Sequence, residues 1–171
     1  MWRLIQVFSE IALHRRDPSE LPASRFLLSL TFVTYLAVGF ISLLVGAPAE
    51  SLIGLIILES FFYLWFIWLV LIVFNRSNRF LQTATALLGT ETLLGIIRMP
   101  ILAWVDATRT SGGEPTAGAF VYFLLLLWSI DVAGFVLSRA LQNAYFVGVL
   151  IVMGYVAISF TLREYFFPVI G

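Results

Sequence analysis

Long apolar runs alternate with short polar breaks along this chain. Five runs, Phe26–Gly46, Leu52–Phe74, Leu81–Val105, Ala119–Ser138 and Tyr145–Phe167, each hold about twenty residues. At roughly 1.5 Å per residue, each matches a hydrocarbon layer of about 30 Å, so the pattern predicts five transmembrane helices. Ahead of them, Trp2, Ile5, Phe8 and Ala12 recur at helical spacing with Leu4 and Ile11 beside them, while Arg3, Glu10 and Arg15 fall elsewhere. That spacing predicts an amphipathic helix over residues 2–16, ended by Asp17-Pro18 because proline disfavours helix in the residue before it. Too short and too polar to span, this segment is expected either as a helix in the headgroup layer or as an ordinary frayed N-terminal arm. The predicted organisation is an N-terminal cytoplasmic or interfacial segment, 1–25, followed by a five-helix transmembrane domain, 26–171. The fold class is an all-α integral membrane bundle.

Two of the breaks carry further signals. Asp106–Gly118 is rich in Thr, Ser, Gly and Pro and reads as a flexible loop. Ala47-Pro48-Ala49 has the small-residue pattern of a signal-peptidase site, but the apolar run before it exceeds the roughly 7–15 residues of a signal peptide. The first run is therefore expected to be a retained span.

Composition sharpens the class. Hydrophobic residues make up 61% of the chain and charged residues 12%, which a soluble domain of 171 residues could not bury. All ten basic residues are arginine, there is no cysteine, and net charge is zero. Thiolate metal sites and disulfides are excluded, and no basic run suggests nucleic acid. A lysine-free, Ala/Leu/Arg-rich chain points to a GC-rich bacterial genome and so to the inner membrane. Arg3, Arg15, Arg16, Arg25, Arg76, Arg79 and Arg139 fall on one side of the predicted spans and only Arg109 and Arg163 on the other. Seven against two predicts a cytoplasmic N-terminus and, after five crossings, an outside C-terminus.

Four ionisable side chains lie inside the spans: Glu59, Glu91, Arg98 and Asp131. The second span has seventeen Leu, Ile, Val or Phe residues. These are worth roughly −5 to −10 kcal/mol, against about +3 for Glu59, so it inserts unaided. The third has ten such residues. They supply roughly −3 to −6 kcal/mol against about +5 to +7 for Glu91 and Arg98, near break-even. Gln82, Thr83, Thr85, Thr90 and Thr92 add polarity. A helix this marginal belongs at the centre of a bundle, where neighbours can satisfy its polar groups.

Depth along the spans suggests partners. Glu59 and Arg98 each lie seven residues from an outer span end, about 10 Å below the same edge, and can meet as an ion pair. Glu91 and Asp131 reach similar mid-bilayer depth, within about 3–5 Å. Glu91 and Arg98 are seven apart, nearly two turns, so they share one face with Gly95 between them, where a small residue lets another helix approach. Pro100 is expected to kink the third span and free a carbonyl beside the buried charge. Two readings of this set stand. In one, Glu59–Arg98 is an electrostatic gate and Glu91 shares a proton with Asp131, a polar path for an ion or proton carrier. In the other, the charges neutralise one another and fix helix register.

Remaining features are ordinary. Ser42 and Gly46 with Gly39, and Gly148 with Gly154, read as packing positions. Phe61, Phe62, Tyr63, Trp65, Phe66 and Trp68 crowd the second span as lipid-facing or core bulk. His14, beside Arg15 and Arg16, is expected to face headgroup phosphates. With one histidine, no HExxH, no GxSxG and no phosphate-cradling glycine loop, no enzyme, cofactor or metal site is expected.

Phe80-Leu81-Gln82-Thr83, Leu88-Gly89, Leu127-Trp128 and Ser138-Arg139-Ala140-Leu141 give the stretch from Phe80 to about Ser159 a pattern that resembles the Yip family, multi-spanning proteins of eukaryotic trafficking with bacterial relatives. The resemblance implies a five-helix membrane domain and a role in organising membranes or protein partners. The family's soluble N-terminal region and its acidic-aromatic motif have no counterpart in residues 1–25, so binding to small GTPases does not carry over. The expectation is a non-enzymatic inner-membrane scaffold or accessory subunit, partnered by the bilayer and by other membrane proteins or its own copies. The alternative is a small proton- or ion-coupled carrier.

Overall fold

A computed structural model describes residues 2–46 and 52–166, so the Ala47-Pro48-Ala49 signal lies outside the described residues. Its helices are α1 (Trp2–Ala12), α2 (Arg25–Gly46), α3 (Leu52–Val73), α4 (Phe80–Thr110), α5 (Thr116–Leu141) and α6 (Tyr145–Phe166), with single 3-10 turns at Pro18–Glu20 and Ser77–Arg79. Among the described residues there is no strand, and five helices are long and apolar enough to cross a membrane. The all-α membrane bundle read from the hydropathy pattern is the architecture.

The central position falls to α4, which touches α1, α2, α3 and α5. Its residues Thr83 through Thr90 are buried without interruption, on every side of the helix. The expected reason for this placement needs correcting. Thr83, Thr90 and Thr92 donate to carbonyls of their own helix, Arg79, Ala86 and Leu88, at 2.7–2.9 Å. Their hydroxyls are thus satisfied internally and methyls are turned outward. Of the polar set, Gln82 is the one that bonds another element, donating to the carbonyls of Ser19 and Leu21.

Two boundaries differ from the hydropathy pattern. α4 continues five residues past Val105, because Thr108 and Thr110 donate to Trp104 and Asp106 and so join the helix instead of breaking it. The expected loop of Asp106–Gly118 shrinks to 111–115, with Gly112 at φ 76° making the reversal. At the other end of the bundle, α1, α3 and α5 all stop at a non-glycine residue in the left-handed region: His14 (φ 58°), Asn75 (φ 56°) and Gln142 (φ 52°). In each case the next amide reaches back across the turn, Arg15 to Glu10, Arg76 to Leu71 and Asn143 to Ser138, a Schellman closure.

α1 also departs from expectation. It ends at Ala12 rather than at residue 16, and it is docked on protein. Phe8, Ile11 and Ala12 are buried against α4 and α5. The Phe8 ring lies over Gly89, where any Cβ would collide with it. The indole of Trp128 donates to the last carbonyl of α1, that of Ala12, at 3.2 Å. The face read as lipid-seeking is equally suited to a protein groove, and α4 with α5 provides one.

Glycines at the α5–α6 contact behave as the pattern expects at one position and not at another. Gly148 lies directly on the backbone of Gly134 and Ser138, whereas Gly154 faces open space.

Candidate functional site

α3, α4, α5 and α6 leave between them a cavity of about 390 Å³, with Tyr35 of α2 completing its wall. Three of the four intramembrane ionisable residues line it: Glu59 from α3, and Glu91 and Arg98 from α4. The helix periodicity that puts Glu91 and Arg98 on one face also lets them pair, Arg98 Nη2 donating to Glu91 Oε2 at 2.7 Å. Both side chains remain about one-fifth accessible, Arg98 at 20% and Glu91 at 19%. Gly95 between them brings α2 close, since a Cβ there would come within 2.8 Å of Val38 Cγ1. α4 runs through Pro100 as continuous helix. Lacking an N–H, Pro100 leaves the Ile96 carbonyl without its ladder donor two residues from Arg98.

Glu59 was expected as the partner of Arg98 across the α3–α4 boundary. Matched depth does bring both to the same cavity, where Arg98 also pairs along α4 with Glu91.

Asp131 is elsewhere. The cavity-facing residues of α5 are Leu126, Ser129, Ile130, Ala133 and Leu137, a helical i, i+3, i+4 series. Asp131 lies about 100° round the helix from Ile130 and so turns to the flank covered by α1. There it accepts a hydrogen bond from Tyr145 Oη and lies 3.4 Å from His14 Nε2. The proposed proton sharing with Glu91 therefore has no basis in this arrangement: depth matched, direction did not. The His14 ring lies on Phe135, centroids 4.3 Å apart. On the same flank the Arg139 guanidinium is 5.3 Å from the centre of the Phe135 ring and 3.9 Å from the Asp17 carboxylate. Burial pushes the Asp17 carboxyl up, but hydrogen bonding by Ser19 and the charges of Arg139 and Arg79 outweigh it and hold the group below its ordinary 3.8. This second polar cluster ties the N-terminal segment to α5.

Aromatic residues form the remaining wall. α3 and α6 approach at few points, and the space between them is filled by Tyr155, stacked on Phe62 (5.7 Å, 19°) and set against Tyr63 (5.0 Å) and Phe66 (5.1 Å). The aromatic run of α3 thus divides: Phe62, Tyr63 and Phe66 turn inward, while Phe61, Trp65 and Trp68 are exposed on the outer face. Tyr35, Tyr155 and Ser129 were not singled out from the sequence. A signal was present: tyrosines usually anchor at span ends, whereas Tyr35, Tyr63 and Tyr155 each lie about ten residues inside one. Ser129 is 7% exposed, lines the cavity, and its Oγ has no hydrogen-bond partner in the protein.

Among the described residues no group of three or more His, Cys, Asp or Glu side chains could hold a metal ion. What the site can do is desolvate and orient a small solute, with fixed charges at one end and aromatic faces along its side. No protein-family model, curated protein or solved structure matches this chain.

Proposed function

We propose that this is a multi-pass protein of a bacterial inner membrane that binds a small polar solute in its intramembrane cavity, as a carrier or solute-sensing subunit does. One observation carries the reading: the cavity of about 390 Å³ reaches the Glu91–Arg98 pair and Glu59. Charges kept only for helix register are best sealed from solvent and paired dry. A cavity at membrane depth lined by ionisable groups is the arrangement that solute and ion pathways use. The arginine distribution supports a cytoplasmic α1 end. The competing reading is a scaffold of the kind the Yip-like pattern implies, in which the cavity stays dry.

The chain has no cysteine, so single cysteines report without background. Ser129→Cys in membranes is expected to react with the neutral reagent methyl methanethiosulfonate, and Ser138→Cys, buried away from the cavity, is not. If Ser129→Cys stays unreactive in folded protein, the cavity is closed and the scaffold reading takes its place.

A further inference from the structure

We infer that the solute is a small single-chain amphiphile, a step that rests on the solute-binding reading above. Its hydrogen-bonding head lies toward the Gly112 end of the bundle and its apolar tail toward the Arg76 end. The cavity lining changes character in that direction. Toward the Arg76 end it is Phe66 and Ile67 of α3, Leu87 of α4, Ala133 and Leu137 of α5 and Val152 of α6, apolar on all four helices. Toward the Gly112 end each helix adds polar groups: Glu59 on α3, Glu91 and Arg98 on α4, Ser129 on α5 and Ser159 on α6. Leu126 and Phe160 are interleaved with them. Successive spans run in opposite directions, so this gradient belongs to the cavity and not to any one segment of sequence. A ligand polar throughout would bury unpaired groups in the apolar half, whereas a head at one end alone leaves none there.

Shape selects one chain. The lining extends from Leu87 to Arg98 along α4 and from Leu126 to Leu137 along α5, in each case about 16 Å at helical rise. A volume of about 390 Å³ over that length gives a mean cross-section of about 25 Å², the girth of a single hydrocarbon chain. Ser129 marks where the head belongs. Buried hydroxyls elsewhere in the bundle, those of Thr31, Ser60, Thr90 and Ser138, donate to a carbonyl of the preceding turn. Ser129 is 7% exposed, lies in the polar half of the wall, and its Oγ has neither that bond nor any other partner in the protein. Buried polar atoms are almost always satisfied, and a hydroxyl or amide on the ligand head would satisfy this one.

The test uses the full chain in phosphatidylglycerol nanodiscs, with Ala133→Cys reporting on the apolar half through its rate with methyl methanethiosulfonate. Three probes are compared at equal concentration in the bilayer: 1-octanol, octane, which lacks the head, and 1,8-octanediol, which has a head at both ends. 1-Octanol is expected to slow modification. Octane and the diol should each need at least about fivefold more for the same protection, the effect of leaving one buried hydroxyl unpaired. Adding Ser129→Ala should bring 1-octanol to the level of octane while the unprotected rate persists, which separates loss of the head contact from loss of fold. Equal protection by all three, best protection by the diol, or no protection would each overturn the amphiphile assignment. Reaction at Ser129→Cys with none at Ala133→Cys would also overturn it, because the apolar half then has no room for a tail. In all these outcomes Ser129→Cys still reacts and solute binding stands. If Ser129→Cys is itself unreactive in folded protein, the solute-binding reading is lost.

Discussion

The ring of Phe8 occupies the space that a side chain at Gly89 would need, so the amphipathic N-terminal helix and the central span are fitted to each other at one point. Gly89→Ala should displace Phe8 and loosen α1, at a cost of about 1–3 kcal/mol, the usual range for overpacking. Trypsin cutting at Arg15 and Arg16 in mild detergent would read this as faster release of the N-terminal segment. Adding Phe8→Leu to Gly89→Ala should restore part of the protection. Unchanged cleavage in Gly89→Ala would mean that α1 is held by its other contacts alone.

The Glu91–Arg98 pair makes a second prediction. Glu91→Gln or Arg98→Gln singly removes the partner of the remaining group at membrane depth. Breaking a fully buried pair costs about 3–5 kcal/mol, and the residual accessibility of both side chains places this one toward the lower end. Thermal unfolding of purified protein should show each single change lowering the melting temperature more than the double change. A double variant worse than either single would show that the two charges serve other partners.

Asn75 ends α3 at φ 56°, a conformation glycine adopts without cost. Asn75→Gly is expected to leave stability unchanged or raise it by about 0.5 kcal/mol, and Asn75→Val to lower it by about 1–2 kcal/mol. Melting temperatures of the two variants would be compared, and a stabilising valine would contradict the left-handed helix end.

Asp17 supplies the pH dependence. Its carboxyl titrates below the ordinary value in the folded protein. The stability it confers is therefore complete above that ordinary value, about 4, and is lost as pH falls through the lower folded one. The side chain is 39% exposed, so the effect is small. The melting-temperature difference between the wild type and Asp17→Asn should be present at pH 6 and shrink as pH falls below the ordinary carboxylate value of about 4. A difference that persists or grows in acid would reverse the sign.

Orientation is tested by fusion. A reporter active only outside the cytoplasm should work when inserted at Gly112 and fail at Arg76, following the arginine bias. Activity at Arg76 would invert the topology.

The spans were legible because the bilayer sets the length of an apolar run, and that length is written directly in residues. The central place of α4 was legible too, from Glu91, Arg98 and the threonines that make it too polar to face lipid. Thr83, Thr90 and Thr92, however, bond backbone carbonyls of the preceding turn, which a per-residue insertion scale cannot register. Partners were legible only in part. Counting residues gives height within the membrane but not direction around the helix, so Glu59 and Arg98 reached one cavity while Asp131, at the height of Glu91, turned to His14 and Tyr145. α1 was the same kind of problem: an apolar stripe of Phe8, Ile11 and Ala12 specifies burial but not what buries it.

Tyr155 has a kinetic meaning as well as a packing one. Where two helices are locked by backbone contact, as Gly148 and Gly134 lock α5 to α6, parting them requires moving whole helices. Between α3 and α6 a single phenol among three rings fills the gap. Rotating one side chain belongs to a much faster class of motion than sliding helices past each other. The α3–α6 gap can therefore change shape by the rotamer of one residue, while the α5–α6 contact can change only by helix movement.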